Sequence, residues 1–355
     1  MIKGNLKDVS ALREVLKSYE NKADLGYATG GLAGWIDYDG NYTFGLYERF
    51  WVYAHVDEAW IQQGEGNLGE AAQAAPYQLS DWEPTITREQ YQEAVLRAQE
   101  YIAAGQIYQV NLAQEFRARI EKQGDLFSIY EQLRESTPAP MACYGHLDGV
   151  ELLCSSPETF LRMSGGVIET RPIKGTSPRY ADAERDNLSA YQLMTSEKEK
   201  AELLMITDLL RNDLGQVSEI GSVVVEELLS VEQLAQVYHM VSTVKGVLRA
   251  EVDHLGALQA CLPGGSITGA PKLRARGVID ELEVSSRGLY TGVAGFIGFN
   301  GESQFNIIIR SLVAQGQSLS YHVGAGIVAD SNPEKEYEET LIKAEGIRRA
   351  LKAAR

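Results

Sequence analysis

Several places in the sequence combine residue type and spacing in ways that could support chemistry. In SEKEKAELLMITDLLRND, Glu202 is followed at helical spacing by Met205, Ile206 and Leu209, which puts a carboxylate inside an apolar stripe. A carboxylate there must be paired, protonated or bound to a metal ion, so a buried salt bridge and a metal ligand both satisfy the pattern. In NPEKEYEETLIKAEGIRRAL, Glu336, Glu339, Thr340 and Lys343 share one side of a helix beside the apolar face of Tyr337, Leu341, Ala344 and Leu351. Glu339 and Lys343 form an i,i+4 pair of the helix-stabilising orientation, worth roughly 0.2–0.5 kcal/mol when solvated. If Glu202 and Glu339 instead converge, they are hard oxygen donors suited to Mg²⁺, with positions left open for a substrate carboxylate and water.

Lys174 lies in TRPIKGTSPR, between Pro172-Ile173 and Gly175. An amine is a nucleophile only when neutral, and bringing a pKa near 10.4 down to 7 takes roughly 4.6 kcal/mol of preference for the neutral form. Only a desolvated or charge-crowded site supplies that, with Arg171 and Arg179 contributing if they face the same cavity; otherwise this is a surface turn lysine. PGGSITGAPK, residues 263–272, is a glycine-rich turn entering a helix, a place where backbone N–H groups can cradle an anion. It lacks the G-K-[ST] ending of a Walker A loop, and a tight structural turn uses the same residues. His239, in QVYHMVS, fits either a satisfied core histidine or a catalytic one. His55, His146, His254 and His322 show no metal-ligand spacing and are assigned no role.

The elements that position these residues follow from periodicity. Residues 1–84 form a strand-rich N-terminal region carrying all four Trp residues and a turn at Asp39-Gly40, with a polar, Gly- and Pro-punctuated linker near 63–85. Residues 85–355 form the second region. Thr87 opens a helix through a T-x-x-Q capping box, with Tyr91, Ala94, Val95, Ala98 and Ile102 at helical spacing. In the following strand, IYQVNLAQEF, Tyr108, Val110 and Leu112 point one way, so the amides of Gln109 and Asn111 share the other face. Hairpins are expected between Cys143 and Arg171, helices over about 181–193 and 196–213, and strands over 290–300, 304–313 and 318–328. A final helix begins at Asn332-Pro333. Long hairpins with non-alternating helices indicate an α+β fold.

Composition narrows the function. The chain has 355 residues, 33 Lys+Arg and 49 Asp+Glu, for a net charge of −16. No basic run exists to meet a phosphate backbone, so no nucleic acid partner is expected. No apolar stretch is long enough for a signal or a span, so no membrane association and a cytoplasmic location are expected. Cys143, Cys154 and Cys261 lack C-x-x-C spacing and read as structural thiols of a reducing compartment. An anionic substrate must be attracted by a local cluster of cationic groups, a metal ion or helix N-termini.

Taken together, IYQVNLA, SSPETF, RPIKGTSPR, EKEKAELLMITDLLRNDLG, VYHMVSTVKG, PGGSITGAPK, RGLYTGVAGFIGF, NIIIRSL and VGAGIVADSNPEKEYEETLIKA, over residues 87–351, resemble the chorismate-utilising enzymes. GGLAGWIDYD is similar to the N-terminal region of the same family. The resemblance implies a layered αββα sandwich of two large, mainly antiparallel sheets with outer helices, and a Mg²⁺-dependent enzyme acting on chorismate. By match, Glu202 and Glu339 would hold the metal, with Glu199 and Glu336 nearby and acting through water. Tyr290, Arg310, Lys343 and the amides of Gly324 and Gly326 would hold substrate carboxylates, Thr268 would contact the ring side, and His239 matches the family's active-site histidine.

Within the family, P-I-K-G-T resembles the branch that makes aminodeoxychorismate, whereas anthranilate synthases carry alanine at the position of Lys174. The resemblance then implies that Lys174 attacks C2 of chorismate as the C4 hydroxyl leaves, that ammonia adds at C4, and that Glu158 is the general acid and base. Gln109 occupies the place of the water-activating lysine of isochorismate and salicylate synthases, and it cannot deprotonate water; Asn111 also resembles the aminodeoxychorismate branch. Ammonia would come from a separate glutamine amidotransferase subunit or from solution. A leucine-leucine-glutamate-serine segment that binds tryptophan in long family members is not found, so no tryptophan feedback is expected. An anthranilate-forming or dual-purpose aminase, and a non-catalytic subunit that binds the amidotransferase, are the rival readings.

Overall fold

The structure is a computed structural model that describes residues 1–66, 77–122, 124–234 and 236–353. Part of the expected linker, residues 67–76, lies outside the described residues. Its remainder is not free of structure, because Gln78–Leu79 and Glu83–Pro84 pair along Gln109–Lys122 as short edge strands. The expected capping box forms in full: Gln90 donates its backbone N–H to the Thr87 hydroxyl, and the Thr87 N–H donates to the Gln90 side chain at 2.8 Å. That interaction starts the helix Arg88–Ala103, whose Tyr91, Val95 and Ala98 are buried.

Two large antiparallel sheets organise the described residues. The first runs Ile2–Asn5, Asn41–Tyr47, Gly31–Ile36, Val293–Gly298, Glu302–Ile307, Thr159–Ser164, Val167–Arg171, Val237–Val247 and Ile173–Pro178, with Val224–Gln233 also on Val237–Val247. The second runs Gly269–Ala270, Gln109–Lys122, Ser318–Ile327, Ser311–Gln315, Val150–Cys154 and Cys143–Leu147. One apolar core takes Leu32, Phe44, Phe160 and Phe305 from the first sheet and Val110, Leu112, Ala325 and Ile327 from the second, as alternation along each strand requires. Outside, Ala183–Thr195 and Glu197–Gly215 cover the first sheet through Leu193 and Leu203 against Tyr238 and Met240. Leu126–Ser136 and Pro333–Ala353 cover the second through Ile129, Leu133, Ala344 and Ile347 against Phe116 and Tyr321. This is the expected α+β sandwich in αββα layers. The N-terminal region also holds a helix, Ser10–Tyr19.

Two departures from the sequence reading matter for the site. The apolar run NIIIRSL, read as one strand over 304–313, is broken: Glu302–Ile307 belongs to the first sheet and Ser311–Gln315 to the second. Arg310 stands in the corner at φ +51, a left-handed conformation that a continuous apolar pattern does not announce. Likewise, the two hairpins between Cys143 and Arg171 lie in different sheets, so residues 155–158 cross from one to the other. The two crossings run side by side, tied by Ser155 N–H to Arg310 O at 3.2 Å and Ile307 N–H to Glu158 O at 3.2 Å.

Candidate active site

Both crossings end in a cavity of about 330 Å³. Glu158 and Arg310 enter it from the crossings, Asn111, Gly324 and Gly326 from the second sheet, and Lys174 from the edge strand of the first. Lys198, Glu199 and Glu202 come from Glu197–Gly215, and Glu339 and Lys343 from Pro333–Ala353. Lys174, Lys198, Arg310 and Lys343 thus face Glu158, Glu199, Glu202 and Glu339, an even local balance in a chain of net charge −16. This supplies the local cationic cluster that an anionic substrate requires.

Local backbone explains several placements. The register slips between Lys174 and Thr176, with Gly175 at φ +73, and a Cβ on Gly175 would meet Leu193 Cδ1 at 2.8 Å and Glu199 Oε2 at 3.0 Å. Only glycine lets that strand bulge against the helix, and the bulge turns Lys174 inward, its Nζ 3.9 Å from Glu202 Oε2. Gly324 and Gly326 form a close-approach floor: a Cβ would lie 3.0 Å from the Tyr290 hydroxyl at the first and 2.6 Å from Gln109 Nε2 at the second.

Burial sets the protonation states. It raises the Glu158 carboxyl above its ordinary value, against the Ser266 hydrogen bond and the Lys174 and Arg310 charges, and so favours a carboxyl able to hold a proton. Glu199 is raised by burial and then by Glu202, while for Glu339 burial is outweighed by Lys343, whose Nζ sits 2.8 Å away. Burial pushes the Tyr290 hydroxyl up to about 12 and, with Arg310, pulls His239 down to about 4.

Other expected residues stand behind the wall. His239 is a buried imidazole whose Nδ1 lies 2.9 Å from the Thr176 hydroxyl, so it supports the Lys174 bulge from beneath. Thr268 donates its hydroxyl to Gly264 O at 2.9 Å, leaving Ser266 and Ile267 to face the cavity from that turn. Gln109 is buried under Gly326, and Glu336 is buried and accepts from the Ser331 hydroxyl at 2.7 Å. Glu202 lies at the edge of its helix stripe rather than inside it: Leu203, Ile206, Leu210 and Leu214 form the buried face, and the Glu202 side chain stays 21% exposed. Arg171 and Arg179 do not reach Lys174, since Glu227 and Glu232 hold the first and Asp186 the second. Sequence reasoning missed Lys198 and His322, which line the cavity. His322 stacks on Tyr290 with ring centroids 5.1 Å apart, a contact between a strand and a distant turn that no linear spacing reveals.

The carboxylates suit Mg²⁺. Among the described residues no three carboxylate, His or Cys groups form a ready cage. Mg²⁺, however, typically takes one or two protein carboxylates and completes its shell with water and substrate oxygens, which Glu202 and Glu339 on facing helices can provide.

A layered sandwich whose sheet crossings deliver an acid and an arginine, opposite helices that deliver carboxylates and lysines, is the frame of an enzyme. More narrowly, the chain belongs to the chorismate binding enzyme family, whose model matches residues 54–349. It is 43% identical over 276 residues to anthranilate synthase component 1 of Aquifex aeolicus, covering 78% of this chain and 56% of that protein. It is 44% identical over 272 residues to aminodeoxychorismate synthase component 1 of Escherichia coli, covering 77% of this chain and 60% of that protein. The chain therefore spans little more than half the length of these relatives. The solved anthranilate synthase component I of Streptococcus pneumoniae superposes with a TM-score of 0.81 at 29% identity, over 95% of this chain and 85% of that one.

Proposed function

We propose that the protein is an aminodeoxychorismate synthase component I, converting chorismate and ammonia to 4-amino-4-deoxychorismate. The observation that carries this reading is the Lys174 amine in the same cavity as the buried Glu158 carboxyl. Arg310, Lys343, Tyr290 and the Gly324 and Gly326 amides hold the two substrate carboxylates. Mg²⁺, held by Glu202 and Glu339, would neutralise a substrate carboxylate. Lys174 attacks C2 once its amine has given up its proton, the ring double bonds shift, and the C4–O bond breaks while Glu158 gives its proton to the leaving hydroxyl, which departs as water. Glu158 then takes the proton of the C2 ammonium. Ammonia adds at C4, the C2–N bond breaks as Glu158 returns the proton to Lys174, and Glu158 is reprotonated from the new C4 ammonium. Gln109 and Asn111 offer no base for water. A glutamine amidotransferase subunit is proposed as the ammonia source, and a cytoplasmic location accords with the absence, among the described residues, of a helix long and apolar enough to cross a membrane.

Anthranilate formation is the second reading, favoured by the near-equal identity to an anthranilate synthase component. Product analysis decides: the chain with chorismate, Mg²⁺ and excess ammonium is expected to yield aminodeoxychorismate, and Lys174→Ala to lose about a thousandfold in rate or more. Anthranilate plus pyruvate, or an unimpaired Lys174→Ala variant, contradicts the lysine mechanism; no turnover with or without an amidotransferase points to a non-catalytic subunit.

A further inference from the structure

The glycine-rich loop 262–271 is closed by a charge that the chemistry above does not use. Lys272, the residue after the loop, donates from Nζ to the carbonyl of Cys261, the residue before it, at 3.1 Å. The same ammonium lies 2.7 Å from Asp213 Oδ1, with the Asp213 side chain 1% and the Lys272 side chain 15% exposed. Asp213 belongs to Glu197–Gly215, the helix that carries Glu199 and Glu202. A Cβ on Gly265 would lie 3.5 Å from Asp213 Oδ2 and 2.6 Å from Leu209 Cδ2, so the loop is seated directly on that helix. One residue further, Ser266 lines the same cavity as Glu158.

Removing two charges from water is costly, and well-packed apolar side chains often replace a buried pair without loss of stability. An ion pair kept at this depth is then best explained by the geometry it imposes. Leucine and methionine would fill the same space, but neither could bond the Cys261 carbonyl and the helix together.

We propose that Lys272 is a positioning residue: clamped by Asp213, it fixes loop 262–271 to the carboxylate-bearing helix and thereby sets the Ser266 hydroxyl against Glu158. Loosening the clamp leaves the Arg310 and Lys343 binding groups in place, so chorismate binding survives while proton transfer suffers. This rests on the chorismate reading.

The test uses the full chain with chorismate, Mg²⁺ and ammonium, following chorismate consumption, thermal melting and chorismate affinity by calorimetry. Lys272→Met is expected to lower kcat about tenfold or more while the affinity for chorismate changes less than about threefold. Lys272→Arg, which keeps the charge and the donor, should recover most of kcat. The double variant Asp213→Asn/Lys272→Met removes the uncompensated charge and should recover melting temperature without recovering kcat, which keeps the test informative if the single variant folds poorly. A double variant with kcat within twofold of the unsubstituted chain overturns the proposal and leaves the pair a stabilising contact. So does Lys272→Met with affinity and kcat falling together. Anthranilate from the unsubstituted chain would overturn the aminodeoxychorismate reading alone, because the kcat comparison holds for either product; a chain that neither binds nor consumes chorismate overturns both.

Discussion

The cavity has two walls of different construction. Glu158, Arg310, Gly324 and Gly326 come from strands and from the paired crossings between sheets, and Tyr290 from the turn before Val293–Gly298; backbone hydrogen bonds hold these segments, and Glu158, Tyr290 and Gly324 are buried. Glu202, Glu339 and Lys343 come from two helices and remain 21%, 43% and 45% exposed. The two constructions suit different tasks. On the proposed function, the groups that act in one place, in a low dielectric, sit on strand architecture, and the groups proposed to gather a cation and a charged substrate sit on helices, where like carboxylates can approach and still be hydrated.

The largest effect is expected from Glu202→Gln, which keeps shape and removes one helix-wall charge. Turnover at fixed Mg²⁺ is expected to fall about a thousandfold, with a weaker Mg²⁺ affinity by calorimetry. Unchanged Mg²⁺ affinity would mean that the helix wall does not gather the cation.

Acid stability comes next, and the walls should respond with opposite sign. His239 is held near 4 in the folded chain against about 6.5 unfolded, so the unfolded state binds the extra proton between those values. Its neutral burial is stabilising above pH 6.5 and lost as pH falls toward 4, by roughly 2–3 kcal/mol. His322, also pulled down to about 4 by burial, adds in the same direction. Glu199 is raised by burial in the folded state, so its ionised form disfavours folding at neutral pH and acidification relieves that. Urea melts from pH 7 to 4.5 should therefore show a shallower acid loss in His239→Gln and a small gain at pH 7 in Glu199→Gln; parallel curves for all three proteins would refute the contrast.

The smallest effect is Gly326→Ala. Its Cβ would meet Gln109 Nε2 at 2.6 Å, and a side-chain amide can yield where backbone cannot. A loss of about tenfold in chorismate affinity is expected, or about 1.4 kcal/mol, with little change in melting temperature. Unchanged affinity would show that the floor of the strand wall is looser than its packing implies.

Much of this arrangement was legible in the sequence. The Thr87 capping box, the Asn332-Pro333 helix start and the shared face of Gln109 and Asn111 are local patterns, and local chemistry fixes them. Lys174 and Glu339 were singled out by their neighbours and the structure brings both to one cavity. What escaped was non-local. The break at Arg310 requires knowing that the chain changes sheets, the diversion of Arg171 and Arg179 depends on carboxylates from other segments, and Lys198 and His322 earn their places only through packing. Periodicity reports which face of an element is apolar, not what stands opposite it.

The first sheet has a further consequence, in time rather than space. Trp35 on Gly31–Ile36 pairs with Ala294 on Val293–Gly298, about 260 positions later in the chain. At roughly 5–20 residues per second, a ribosome needs on the order of 13 to 50 seconds to deliver the second strand after the first. During that interval one edge of Gly31–Ile36, apolar and bearing Trp35, has no partner strand, which makes the nascent chain a client for protection against intermolecular pairing.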